Sequence, residues 1–159
     1  MPKKKKKRIR AVQRFENVTH HPDQYRGRWH SHVFKNKFPI TLELGCGKGE
    51  YTTAFAQTFP DRNFIGLDLK AARIWVGARN SQNAGLFNTF FIVGNALDLN
   101  RMFDKGEIEE IWIPFPDPFH KKPRKRLMSP RYLHVYRDIL TADSLLHFKT
   151  DDSRLYHYA

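Results

Sequence analysis

Cysteine is almost missing from this 159-residue sequence: Cys46 stands alone, so no internal disulfide can form, and a reducing, cytoplasmic setting is expected. Long apolar runs are missing too. No stretch approaches the roughly eighteen apolar residues of a membrane-spanning helix, so no membrane partner is expected. The basic N-terminus has no apolar segment behind it, so no secretory signal peptide is expected. Acidic residues are scarce, 16 against 28 Lys and Arg. What is there, 40% hydrophobic and 14% aromatic, suits one folded domain with a real core rather than a disordered chain.

The cationic excess is segregated. The formal net charge is +12, yet residues 1–38 hold twelve Lys and Arg against two acids, Glu16 and Asp23. Residues 118–131 hold six more and no acid, while the remaining positions carry ten bases and fourteen acids. Solubility does not require such clustering, whereas a polyanionic nucleic acid explains it. A solvated tail with a basic loop is the plainer alternative. Residues 1–38 read as a basic N-terminal arm, punctuated by His20, His21, Pro22 and Gly27, with Trp29, Phe34 and Phe38 as expected anchors. Residues 39–159 read as one domain.

From Ile40 the texture alternates. Strands are predicted over 40–44, 64–67, 89–93, 108–113 and 144–149. Helical spacing covers 50–58, 70–83 and 132–140, with a short turn over 98–103 and another helix from Thr150. Alternating strands and helices predict an α/β fold: a doubly wound, Rossmann-like parallel sheet with helices on both faces. Right-handed crossovers then gather all strand C-termini on one edge, where such sheets bind ligands. Glu43–Gly49, Asp68, Asn95, Pro114–Lys122 and Thr150–Asp151 all fall there.

Glu43-Leu-Gly-Cys-Gly-Lys-Gly49 follows a strand and opens a helix. Gly45 and Gly47 permit a tight turn against a ligand. The spacing is one residue short of G-x-G-x-x-G, and no P-loop is present. Glu43, two positions before the first glycine, suits a cation better than a phosphate. S-adenosyl-L-methionine, with an ammonium, a sulfonium and no phosphate, meets that requirement. Asp68 is placed for ribose hydroxyls and Asn95 for the adenine edge. His20-His21 and His30-x-His32 have no cysteine or acid at ligand spacing, so no metal is expected.

The most specific stretch is Pro114-Phe-Pro-Asp-Pro-Phe-His-Lys-Lys122, in which prolines frame one acid, Asp117, four residues before Lys121. With Glu43–Gly49, Arg126-Leu127 and Lys149-Thr-Asp151, it resembles the bacterial tRNA (guanine-N(7))-methyltransferases over about residues 30–159. The resemblance implies a class I methyltransferase domain. It also implies S-adenosyl-L-methionine as donor and N(7) of a guanine in tRNA, in the variable loop, as acceptor. Glu43, Gly45, Gly47, Asp68, Asn95 and Asp117 would bind the donor. Asp117 would be catalytic, and Lys121 and Asp151 would contact substrate. Asp68 stands where the family commonly has Glu, and Asn95 where Asp is common. The family also continues with two more strands and a T-x-[YF]-E motif, so this domain is expected to lack its last strands. Another RNA methyltransferase on the same scaffold and a non-catalytic RNA-binding module are the alternatives. Monomer and homodimer are equally compatible with the sequence.

Overall fold

The computed structural model describes Lys3–Ala159; Met1 and Pro2, the first residues of the expected arm, lie outside the described residues. In chain order the elements are α1 (Lys3–Val12), β1 (Val18–Thr19), β2 (Ile40–Leu44), α2 (Glu50–Thr58), β3 (Asn63–Asp68) and α3 (Ala71–Asn83). There follow β4 (Thr89–Val93), α4 (Leu99–Met102), β5 (Glu110–Pro114), α5 (Pro130–Ile139), β6 (Leu145–Lys149) and α6 (Ser153–Tyr158). The strands form one sheet in the order β1-β4-β3-β2-β5-β6, and every pairing is parallel. Among the described residues, no helix is long and apolar enough to cross a membrane.

The centre of the sheet is covered on both faces, so β2 and β3 are buried along their whole length, whereas the edge strand β6 leaves Leu145 and Leu146 exposed. Ile40, Leu42 and Leu44 of β2, Ile65 and Leu67 of β3, and Ile111 and Ile113 of β5 share one large core with Val135, Tyr136 and Ile139 of α5. Alternate residues face the other way: Phe91 of β4 joins Val12, Ile74 and Ala78 beneath α1 and α3. Gly77 inside α3 lets that helix press on the glycine turn, since a Cβ there would lie 2.6 Å from the Lys48 carbonyl oxygen. Pro130 starts α5 at its first turn, where a missing N–H costs nothing.

The basic N-terminal segment is more structured than its poor periodicity predicts. Trp29 is fully buried, packs its ring on Tyr25, Phe90 and Phe103, and donates from Nε1 to the Met102 carbonyl at 2.9 Å. Phe34 also reaches the core, but Phe38 is 41% exposed and lies outside it. Neither α1 nor β1 was expected. Val12 is the one fully buried residue of α1, and β1 has two residues, so neither leaves a periodic signal. The fourth predicted strand shifts toward the proline loop: Ile108 is buried, but the ladder runs Glu110–Pro114.

The chain runs outward from β2 through β3 to β4, then crosses back to β5 on the other side of β2. That reversal opens a crevice beyond the C-terminal ends of β2 and β5, the ligand position of doubly wound sheets.

Candidate active site

The crevice floor is the turn after β2. Gly45 and Gly47 have φ of +71° and +58°, a left-handed backbone that side chains disfavour. Nothing crowds them: the nearest atom to a Cβ at Gly45 is Leu127 Cδ1 at 3.8 Å. These glycines therefore serve backbone shape and leave the space above them open. Leu127 belongs to the segment after β5, so the two sides of the crevice meet here. The Gly45 and Cys46 amides donate to the Leu67 carbonyl at 2.8 and 3.0 Å, tying the turn to the end of β3. Cys46 is buried beneath the turn, and burial pushes its thiol well above the usual range.

Two carboxylates bracket this turn. Asp68, 8% exposed, accepts from the Gly47 amide at 3.0 Å on Oδ2 and from the Lys70 amide at 2.7 Å on Oδ1. Glu43, 6% exposed, accepts from the Thr52 amide at 2.8 Å and from the Thr52 hydroxyl, both on Oε2. Burial raises the Glu43 carboxyl to about 7; the Thr52 bonds oppose that shift, and Asp68 and Glu50 add to it. A carboxyl raised in this way gains most from a nearby cation. Asn95 follows β4, beside Gly94, whose amide donates to the Asp68 carbonyl at 3.1 Å. Its Oδ1 accepts from Leu97 N at 3.1 Å, which leaves the amide NH2 to donate elsewhere.

The opposite wall is the loop after β5. Phe115 and Phe119 have φ of +50° and +41°, uncommon for aromatic residues, and they flank Asp117. Three ties hold this shape. Phe115 N donates to the Lys149 carbonyl at 2.7 Å, His120 Nε2 meets Asp152 Oδ2 at 3.1 Å, and Arg126 Nε donates to the Pro118 carbonyl at 2.8 Å. Arg126 is 7% exposed, and its guanidinium lies 4.3 Å from the centre of the Tyr158 ring. It is a strut between the loop and α6, not a free surface cation. Asp117, Lys121 and Asp151 are exposed, and no side-chain hydrogen bond or ion pair engages them among the described residues.

A family model described as "Putative methyltransferase" matches residues 37–159. A tRNA (guanine-N(7)-)-methyltransferase of Porphyromonas gingivalis is 49% identical over 133 residues, covering 84% of this chain and 54% of the relative. One from Christiangramia forsetii is 40% identical and covers 98% of this chain and 74% of the relative. The chain belongs to this tRNA (guanine-N(7)-)-methyltransferase family. It spans about half the length of the first curated relatives it matches, 54% and 57%. Among solved structures, the antibiotic-resistance methyltransferase Kmr superposes with a TM-score of 0.59 at 20% identity, over 78% of this chain and 68% of Kmr. An antibiotic-related methyltransferase gives 0.62 at 18%, over 77% and 63%. At that identity they share the fold.

For this family member, the expected residues fall into two groups. Glu43, Gly45, Gly47, Asp68 and Asn95 lie together around one turn, joined by the bonds above. Asp117, Lys121 and Asp151 lie on the facing loops, which Lys149, His120 and Arg126 connect. The sequence reading missed Thr52, the Glu43 partner, although a hydroxyl one turn into the following helix is a readable signal. It also missed the His120–Asp152 pair and the burial of Arg126, which in sequence is one cation among six.

Proposed function

We propose that this domain transfers a methyl group from S-adenosyl-L-methionine to N(7) of a guanine in tRNA. One observation carries the reading: two buried carboxylates, Glu43 and Asp68, flank an open glycine turn at the sheet's switch point, facing a loop that presents an unengaged acid. That donor set fits a cationic, phosphate-free cofactor and would repel a dinucleotide. Glu43 would meet the positive methionine end, Asp68 would accept from the ribose hydroxyls on the lone pairs its two amide bonds leave free, and the free NH2 of Asn95 would donate to the adenine ring. When bound, the donor supplies an electrophilic methyl on a good leaving group.

Guanine N(7) carries a lone pair and no proton, so no general base is required. The work left to the protein is alignment, which can supply up to roughly 7–11 kcal/mol in well-oriented systems. Asp117, in its proline frame, accepts a hydrogen bond from the guanine edge and offsets the positive charge growing on the ring. Lys121 and Asp151 hold the acceptor from the same wall, and the exposed cations of 121–125 take backbone phosphates. The test is methyl transfer from labelled donor to bulk tRNA, with the modified nucleoside identified, run beside the Porphyromonas gingivalis relative. Labelled 7-methylguanosine is expected. Label in another nucleoside, or donor binding without transfer by either protein, overturns the reading.

A further inference from the structure

Outside the crevice, the largest concentration of charge lies where α1 rests on α3. Lys3–Val12 holds seven cations and no acid, and its first turn is all lysine, where the helix dipole favours anions. Like charges one turn apart oppose the helix further. What holds it in place is its other end: Val12 is buried with Ile74 and Ala78, and Phe15 packs on Trp75 at 6.3 Å. Arg8 lies 4.7 Å from the centre of the Trp75 ring and Arg79 lies 5.1 Å from it.

This docking forms a concavity of about 430 Å³ lined by Lys4, Lys5 and Arg8 from one side and by Lys70 and Arg73 from the other, with no acid in its lining. A second, of about 390 Å³, opens on the far flank of α1 and is lined by five more cations. Among the described residues, none of these cations makes a salt bridge. A fold that presses two cationic walls together without an internal counter-charge leaves the compensating anion to a ligand. Lys70 follows Asp68 by two residues, so the cationic groove begins at the rim of the proposed donor site.

We propose that this groove carries the phosphate backbone of the RNA substrate past the donor edge, with Lys70 and Arg73 as contacts supplied by the domain body and not by the lysine run. The inference rests on the tRNA reading and adds to it a track on the β3 side, opposite the basic loop after β5. Two tracks flanking the crevice would fix the RNA on both sides of the reacting base. Backbone contacts of this kind position a nucleic acid without reading its sequence.

The test measures tRNA affinity against salt for the wild type, for Lys70→Gln/Arg73→Gln and for Lys121→Gln/Lys122→Gln. The groove variant should bind about tenfold more weakly at low salt, and its log–log salt slope should shrink by about 1.5–2. Its melting temperature should stay within about 2 °C of wild type, since both side chains are exposed. A groove variant with the wild-type slope, while the loop variant loses slope, overturns the track and leaves the tRNA reading standing. No tRNA binding by the wild type overturns both. Sedimentation of the wild type with anionic lipid vesicles, with no salt-dependent tRNA binding, assigns the groove to a membrane surface instead.

Discussion

The two walls of the crevice are built on opposite plans. On the β2–β3 side both carboxylates are buried, and both are held by backbone amides before any ligand arrives. On the β5–β6 side Asp117, Lys121 and Asp151 stand in the open, and the bonds are spent on backbone shape: Lys149 on Phe115, Arg126 on Pro118 and His120 on Asp152. On the proposed reading the first wall is a preformed receptor for a small cation, and the second is a shaped loop whose functional groups receive a large partner. Preorganisation of the small-molecule side and an open macromolecular side give each ligand the surface its size requires.

Substitutions can separate the two walls. Asp117→Asn should lower turnover about 10²–10³-fold, about 3–4 kcal/mol of transition-state stabilisation, while melting temperature holds, because among the described residues no hydrogen bond or ion pair engages that exposed side chain. Single-turnover methylation together with a melting curve checks both halves. Wild-type turnover in Asp117→Asn would remove the role given to it.

On the other wall, Glu43 links stability to pH. Its carboxyl rises from 4.5 to about 7 on folding, so the folded state holds that proton more tightly than the unfolded chain. The resulting stabilisation is complete below about pH 4.5 and is lost as pH rises through about 7, a change of roughly 3 kcal/mol. Glu43→Gln should abolish this slope in denaturant titrations at a series of pH values. Donor affinity should run the opposite way in the wild type, rising toward pH 7 and then levelling, because the cation requires the ionised form.

Arg126→Met should lower stability by about 2 kcal/mol and also reduce methyl transfer, through loss of the Pro118 bond and the Tyr158 contact. Arg124→Gln, an exposed neighbour, should leave the melting curve in place and change only the salt dependence of tRNA binding. Equal melting shifts for the two would erase the distinction between strut and surface cation. The smallest effect is expected from Asn95→Ala, about tenfold in donor affinity by isothermal titration, from loss of its donated hydrogen bond together with the Leu97 cap.

How far the sequence revealed these walls differs as the walls do. The central strands were legible because parallel strands buried on both faces leave unbroken apolar runs, and the placement of Asp68 and Glu43 beside the glycine turn was legible because strand ends gather on one edge. Long-range returns were not. Nothing local in Arg124-Lys-Arg126 distinguishes the third residue; its burial depends on α6 coming back beneath the loop. The same holds for α1, which is held by Val12 at its end and by Arg8 over the ring of Trp75, sixty-odd positions away, and leaves no periodic apolar stripe.

Cys46, the one sulfhydryl of the chain, lies buried under the glycine turn, and burial pushes its thiol up. Alkylating reagents can reach it only when that turn lifts away from β3. Its modification rate is therefore a built-in clock for local opening, readable by mass spectrometry without any engineered label. A ligand that settles on the turn should slow the clock, and one that binds only the far loops should leave it running.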